Sequence, residues 1–322
     1  MEELRELAKD AGFPLFGVIP AEASRDSRFL EWLDAGNAAG MTYLQKNAHA
    51  FRHPENVLPG VKSVVMVGMP YAEVGRRAES VLSGMPKFLR FSENGEVPPG
   101  FGRVAKYAWP VVDYHAVIRN SLKILMDGIQ KRFPEAKSRG VVDSAPFHER
   151  EFARRAGFGW IGKNRMLTHP EFGNEFFIAA VMTSAEINAE IKMQNAEMVS
   201  CFDSCEKCLK ICPTGALSVS GLDARRCLNY WMIEHRGAVP EEFWPAVGDR
   251  VFGCDACQTA CPGSASASEK PLLLELAPLF SLTEAEFREN FRHTVFFRTG
   301  LDGMRRNAAI VLWNEGNNRR SE

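Results

Sequence analysis

The sequence predicts an α+β fold: a mixed-sheet domain first, a cysteine-rich segment second and a short helical C-terminal tail. Two observations predict it. Helical and strand periods interleave up to about residue 190, the pattern of a mixed α/β layer domain. All eight cysteines then fall between Cys201 and Cys261, and none lies in the first 200 residues. The boundaries expected are 1–190, 191–268 and 269–322, and a length of 322 residues suits about two domains at ~150 residues each.

The elements follow in order. Leu4, Leu7, Ala8 and Ala11 give a helix over 2–11, which Gly12 and Pro14 stop. Leu15 to Ile19 reads as a strand, and Phe29 to Leu33 lies in a short amphipathic helix ended by Gly36. Pro59-Gly60 introduces a strand over Val61 to Val67. Residues 73–102 contain several Gly and Pro without a sustained period, so a long loop or lid is expected. Tyr114, Ile118, Leu122, Leu125 and Ile129 set a helix by their 4-4-3-4 spacing. A short strand at Gly140 to Asp143, a helix from Phe147 to Ala156 and a strand from Phe176 to Met182 complete the first domain. Residues 185–198 read as a polar linker or helix, and helical stretches follow the Ser-rich region after Ser264.

Composition removes several classes. Hydrophobic residues make up 45% and charged residues 25%, the proportions of an ordinary globular protein. Lys+Arg is 39 against Asp+Glu 40, a formal net charge of −1, so no strongly basic whole surface is available for nucleic acid. No apolar run approaches the ~20 residues of a membrane helix. The acidic start Met1-Glu2-Glu3 lacks the apolar stretch of a secretory signal. A cytoplasmic location without membrane attachment is expected.

Eight thiols within 61 residues of a chain without a secretory signal read as metal ligands rather than disulfides. Cys205-Glu-Lys-Cys208-Leu-Lys-Ile-Cys212-Pro213 and Cys254-Asp-Ala-Cys257-Gln-Thr-Ala-Cys261-Pro262 share the run C-x2-C-x3-C-P. Two-cluster bacterial ferredoxins carry this run, and its last Cys ligates the other cluster. By that logic one 4Fe–4S cluster takes Cys201, Cys205, Cys208 and Cys261, and the other takes Cys212, Cys227, Cys254 and Cys257. Zinc sites also use C-x2-C pairs, but tetrahedral zinc leaves the repeated third Cys before Pro unexplained. Cys201 to Cys205 is C-x3-C, one residue longer than the usual first spacing. Two adjacent clusters carry electrons, so the preceding 200 residues should hold what is reduced.

Other motifs carry less. Gly157-Phe-Gly159-Trp-Ile-Gly162 matches G-x-G-x-x-G, but a charged helical stretch precedes it where a dinucleotide site needs a strand. A Gly-rich turn fits better, with Lys163 and Asn164 offering polar contacts to a bulky cofactor. Asp143, in Val142-Asp-Ser-Ala-Pro146, reads equally as a helix cap and as a catalytic carboxylate. Asp113 has the same cap reading, and His115 and His148 read first as packed or solvated histidines.

Taken in order, these segments resemble the epoxyqueuosine reductases, cobalamin-dependent enzymes with two 4Fe–4S clusters that are related to reductive dehalogenases. The resemblance runs through Ala11-Gly-Phe13, Gly40-Met-Thr-Tyr-Leu44, Arg52-His-Pro54, Leu58-Pro-Gly60 and Tyr107-Ala-Trp109. It continues through Asp113-Tyr-His115, Val142 to Pro146, Glu149-Arg150, Gly157 to Asn164 and both cysteine runs. Asp223 to Cys227, Ile233-Glu-His-Arg-Gly237, Phe252-Gly-Cys-Asp255 and Arg306-Asn-Ala-Ala309 complete it. It implies a nitroreductase-like cobalamin-binding domain followed by a bacterial ferredoxin-like domain. The implied reaction reduces epoxyqueuosine to queuosine at the wobble position of tRNA, the final step of queuosine formation. Reduction of cobalamin then needs a low-potential donor, and 4Fe–4S clusters reach about −700 mV at their extreme. The resemblance makes Asp143 the proton donor and sets Arg52, Tyr107, Asp143, Lys163 and Asn164 around the cobalamin. tRNA and an unidentified low-potential electron donor are the implied partners.

Three features depart from the family pattern. Tyr107-Ala-Trp-Pro-Val-Val-Asp-Tyr-His115 is one residue longer than the usual segment and lacks its Gly and Arg. His148 stands where the family has an aliphatic residue. Many members continue into helical repeats where this sequence reaches Glu322. A paralogue with the same cofactors and a small-molecule substrate is therefore the competing reading. Arg225-Arg226, Arg236, Arg305-Arg306 and Arg319-Arg320 are the candidate local patches for tRNA, each with a solvated surface as the plainer reading.

Overall fold

The computed structural model describes residues 1–78, 87–188, 201, 204–263 and 270–321. Its strands are β1 (Leu15–Pro20), β2 (Ser63–Pro70), β3 (Leu89–Phe91), β4 (Phe101–Val104), β5 (Ser138–Val141), β6 (Trp160–Ile161), β7 (Leu167–Thr168), β8 (Phe176–Thr183), β9 (Arg250–Phe252) and β10 (Leu272–Glu275). The helices in the first half are α1 (Glu2–Asp10), α2 (Arg28–Asp34), α3 (Thr42–Lys46), α4 (Tyr71–Ala78), α5 (Tyr114–Arg132) and α6 (Glu149–Arg155). Those in the second half are α7 (Lys207–Lys210), α8 (Trp244–Val247), α9 (Ala256–Thr259), α10 (Ala277–Ser281), α11 (Glu284–Phe291) and α12 (Gly300–Ser321).

The chain divides into two compact units, each discontinuous in sequence. One contains residues 1–74, 115–206 and 263–265, and the other contains 75–114, 207–262 and 266–322. The sequence expectation had three contiguous stretches. The difference arises because 75–114 leaves the first unit to build a sheet with strands from far downstream.

The first unit is organised by a four-stranded sheet of order β1-β2-β8-β5, antiparallel throughout. Its central strands read as unbroken apolar runs because both faces are covered. On one face Leu15, Ile19, Val64, Met66, Val141 and Met182 pack with Phe152 and Ala153 of α6. Side chains alternate along a strand, so Gly140, next to Val141, faces the other way, where a Cβ would sit 3.3 Å from Leu122 of α5. The expected helix face is confirmed there: Ile118, Leu122, Leu125 and Ile129 are all buried.

The second unit has a sheet of order β3-β10-β4-β9, in which β10 pairs antiparallel with β3 and β4, and β4 pairs parallel with β9. The loop expected over 73–102 is therefore corrected: it contains the end of α4, all of β3 and the start of β4. Strands of three or four residues carry too little alternation to register in the sequence, and their partner β10 lies about 170 residues on. Residues 79–86 of that stretch, most of the expected 185–198 linker and the Ser-rich region from Ser264 to Glu269 lie outside the described residues. No helix among those described is long and apolar enough to cross a membrane.

Candidate active site and metal centre

In the first unit β5 delivers its C-terminal end into a turn at Asp143. The turn is tight: Ser144 N–H donates to the Val142 carbonyl at 2.5 Å. Asp143 has φ +55, a left-handed conformation that L-residues rarely adopt. Its N–H donates to Glu149 Oε1 at 2.6 Å. Its carboxyl Oδ2 lies 3.4 Å from Nε2 of buried His115, while half of the Asp143 side chain is exposed. Asp143 is thus no helix cap; the residue at the cap of α6 is His148. Glu149 has its carboxyl pushed up to about 8, first by burial and then by the charge of Asp143, against smaller opposing effects of the Asp143 N–H, Arg150 and His115. Asp143 is the exposed carboxyl of the pair, and Glu149 is held towards its protonated form at neutral pH.

His148 is neither solvated nor merely packed. It lies 4.9 Å from the Phe29 ring centroid and 5.0 Å from that of Phe51. Its Nδ1 is 2.7 Å from Ser24 Oγ, which itself donates to Glu151 Oε2 at 2.5 Å. Ser24 therefore accepts from Nδ1–H, and burial lowers the imidazole pKa. That leaves Nε2 unprotonated, buried and without a hydrogen-bond partner among the described residues.

The Gly157–Gly162 stretch follows α6 and contains β6, which pairs with β7. A helix before the glycines, where a dinucleotide site needs a strand, removes the dinucleotide reading, as expected. Gly159 has φ +115, and a Cβ there would run into the Thr168 carbonyl, so only glycine fits. Lys163 Nζ donates to the Cys205 carbonyl at 3.0 Å, and buried Asn164 accepts Met166 N–H at 3.1 Å. A Cβ on Gly162 would lie 3.5 Å from Cys201 Sγ. The glycine loop therefore holds the start of the cysteine segment. Arg52 is exposed, ending a short 3-10 turn over Ala50–Arg52. Its carbonyl accepts Ser24 N–H.

In the second unit, all of Cys208, Cys212, Cys227, Cys254, Cys257 and Cys261 are free thiols; Cys201 and Cys205, in the first unit, are free too. Cys257 is pushed up to about 12 by burial and by Cys254, Cys227, Cys212 and Cys208. Burial also raises Cys227 and Cys254, with smaller contributions from Cys212 and Cys227 respectively. These groups resist becoming thiolates together unless a cation shares the charge, which iron does. The backbone around them is fixed by non-ligands. Asn229 accepts Cys254 N–H at 2.7 Å and donates to the Cys254 carbonyl at 3.0 Å. Asp255 accepts Lys106 N–H at 2.8 Å. Gly253, at φ +72, leaves room for Ala105, Asn229 and Tyr107; Tyr107 lies 6.1 Å from Phe252.

The departing segment after Tyr107 is used for packing. Trp109 Nε1 donates to the Val104 carbonyl at 2.9 Å, and Val111 and Val112 are buried. Five of the candidate arginines also make local contacts. Arg226 donates to the Thr214 carbonyl, Arg236 to that of Thr299 and Arg305 to those of Leu279 and Leu282. Arg306 donates to the carbonyls of Trp231, His235 and Gly237, and Arg225 is paired with Asp223.

Eight free cysteines in a doubled C-x2-C-x3-C-P frame, with a separate turn presenting a carboxyl, define an iron–sulfur oxidoreductase. Comparison with known proteins makes this particular. A model described as a 4Fe-4S double cluster binding domain matches residues 200–264, and one described as "Epoxyqueuosine reductase QueG, DUF1730" matches residues 52–144. The chain is 32% identical to the epoxyqueuosine reductase of Pseudomonas aeruginosa, covering 97% of this chain and 85% of that one. It is 31% identical to the enzyme of Escherichia coli, covering 97% and 80%. It is also similar to the solved epoxyqueuosine reductase of Streptococcus thermophilus, at TM-score 0.80 and 27% identity over 98% of this chain and 81% of that one. A further solved relative is an epoxyqueuosine reductase with an epoxyqueuosine-modified tRNA-Tyr stem loop, at TM-score 0.78 and 29% identity over 97% and 80%. The chain belongs to the epoxyqueuosine reductase family, and its cysteine segment binds two 4Fe–4S clusters.

Proposed function

We propose that this chain reduces epoxyqueuosine to queuosine at the wobble position of tRNA in the cytoplasm, using cobalamin and the two 4Fe–4S clusters. The observation that carries the reading is the extent of the likeness. It covers 97% of the chain and 85% of a relative named for this reaction, so cluster segment and substrate-side unit are matched together. The relative solved with an epoxyqueuosine-modified stem loop supports tRNA as the substrate-bearing partner.

Loss of the epoxide oxygen as water, leaving a C=C bond, consumes two electrons and two protons. Cobalamin, when bound and reduced through the clusters, supplies the electron pair at the carbon; the donor to the clusters is a separate low-potential carrier. The residues of the first unit fit such a group. Buried His148 Nε2 and Thr168 Oγ1 have no partner among the described residues. Arg52, Lys163 and Asn164 are the side chains we assign to the group's periphery.

The chain's own chemistry is proton placement. Asp143 is the group we place to pass a proton to the oxygen that leaves the ring: its carboxyl is half exposed at the tip of a strand-end turn. Such a group acts when it comes within hydrogen-bond reach of the departing oxygen. Buried His115 stands against the same carboxyl and fixes its direction. The two ligand sets are those the doubled motif implies: Cys201, Cys205, Cys208 and Cys261 on one cluster, and Cys212, Cys227, Cys254 and Cys257 on the other.

The test is an anaerobic turnover assay of cluster- and cobalamin-loaded protein on epoxyqueuosine-containing tRNA. Wild type should form queuosine, and Asp143→Ala should not. Turnover by the variant at the wild-type rate would remove Asp143 from its role. No turnover by loaded wild type would refute the substrate assignment.

A further inference from the structure

The turn at Asp143 is pinned at both ends. Val141 closes it on the β5 side, and buried Phe147, 4.4 Å from the Phe152 ring centroid, closes it on the α6 side. Between these pins Asp143 keeps a φ of +55. Such a conformation persists only where surrounding contacts over-determine it. The contact that reaches its backbone is the side chain of Glu149, whose Oε1 accepts the Asp143 N–H at 2.6 Å.

We propose that Glu149 is the positioning residue of the catalytic turn: its carboxyl captures the Asp143 amide and so fixes where the Asp143 acid group stands. The inference rests on the reading of Asp143 as proton donor. Glu149 is half-buried behind the turn and Asp143 is its exposed tip, so Glu149 acts through Asp143. Its protonated state at neutral pH suits the task. A neutral carbonyl oxygen accepts the amide without setting a second negative charge beside the Asp143 carboxyl. Glutamine reproduces that oxygen and that neutrality, whereas alanine and aspartate, too short to reach, do not.

The experiment compares Glu149→Gln, Glu149→Ala and Asp143→Asn in loaded enzyme, with kcat and KM for tRNA and amide hydrogen exchange across residues 142–147. Glu149→Gln should keep kcat within about threefold and keep the turn's amides protected. Glu149→Ala should lower kcat about 10- to 100-fold, the scale of a displacement near 1 Å, with KM unchanged and faster exchange confined to the turn. Iron and cobalamin content should match wild type in both. Should Glu149→Ala not fold, Glu149→Asp carries the same expectation. Wild-type kcat in Glu149→Ala or Glu149→Asp beside an inactive Asp143→Asn would overturn the role of Glu149 alone. An equal loss in Glu149→Gln would also overturn it, since the captured amide would not be what matters. Full activity in Asp143→Asn would instead overturn the reading of Asp143.

Discussion

Asn307→Ala is the perturbation that most directly tests how the second cluster's surroundings are built. Asn307 lies on α12 and is fully buried. Its amide nitrogen donates to the carbonyls of Met232 and Val251, each at 3.0 Å. Met232 belongs to a π-helical turn, Tyr230–Glu234, which follows Cys227, and Val251 precedes Gly253 and Cys254. One side chain thus joins the two segments that bring Cys227 and Cys254 to the centre. Arg306 reinforces it, donating to the Trp231, Met232, His235 and Gly237 carbonyls. Leaving a buried acceptor unpaired costs about 1–3 kcal/mol. The Met232 carbonyl keeps its bond from Arg306, so the Val251 carbonyl is the one orphaned and the loss is about 1–3 kcal/mol, out of the roughly 5–15 kcal/mol that typically separates folded from unfolded protein. Anaerobic urea unfolding of the loaded protein, followed by tryptophan fluorescence at constant m, measures it. Iron release to a chelator should speed up in parallel. A loss below about 1 kcal/mol with unchanged iron release would refute the claim that Asn307 ties these segments together.

Further outcomes follow from the same structure. Cys257→Ser should lower bound iron from about eight to about four per chain, because one cubane loses a ligand; retention of eight by elemental analysis would break the assignment. Glu149 gives a pH dependence. Burial and the Asp143 charge push its folded carboxyl up to about 8 from an ordinary 4.5, so the folded protein keeps a proton that the unfolded chain has released. Stability should therefore fall as pH rises from about 4.5 to 8 and level off above, with Asp143, Arg150 and His115 as the charged neighbours, and Glu149→Gln should remove that slope in urea titrations. Gly159→Ala should fail to accumulate as folded, brown protein, since both its positive φ and the Thr168 carbonyl exclude a Cβ; a wild-type melting temperature would contradict this.

What the sequence made legible was whatever repeats over a window. The 4-4-3-4 spacing in α5 and the apolar runs of β2 and β8 survive because each is long enough to show its period. β3, β4 and β10 are three or four residues each, and their pairing was invisible until the chain closed on itself. The cysteine frame was legible because thiol chemistry admits few readings of a doubled run. Asp143 was legible only as one of two alternatives, and Glu149 only as part of a recurring pair with Arg150. Its role depends on the sign of φ at Asp143, which no spacing encodes.

The arginine doublets show why adjacency in sequence misleads about surfaces. Neighbouring residues on any regular backbone point in different directions, so a pair of arginines is seldom one patch. Arg225 forms a two-point pair with Asp223, which holds that carboxyl below its usual range. Arg226 turns to the Thr214 carbonyl two residues beyond Cys212. Arg305 reaches Leu279 and Leu282, whereas Arg306 reaches the π-helical turn after Cys227. A guanidinium presents five donors in a fixed fork, and Arg306 directs them to the Trp231 and Met232 carbonyls of the π turn and the His235 and Gly237 carbonyls just beyond it. Arg306 and Arg226 therefore belong with Asn229 and Asn307 as groups that fix the backbone around thiolates. Substituting them should alter iron retention and stability before it alters the salt dependence of tRNA binding.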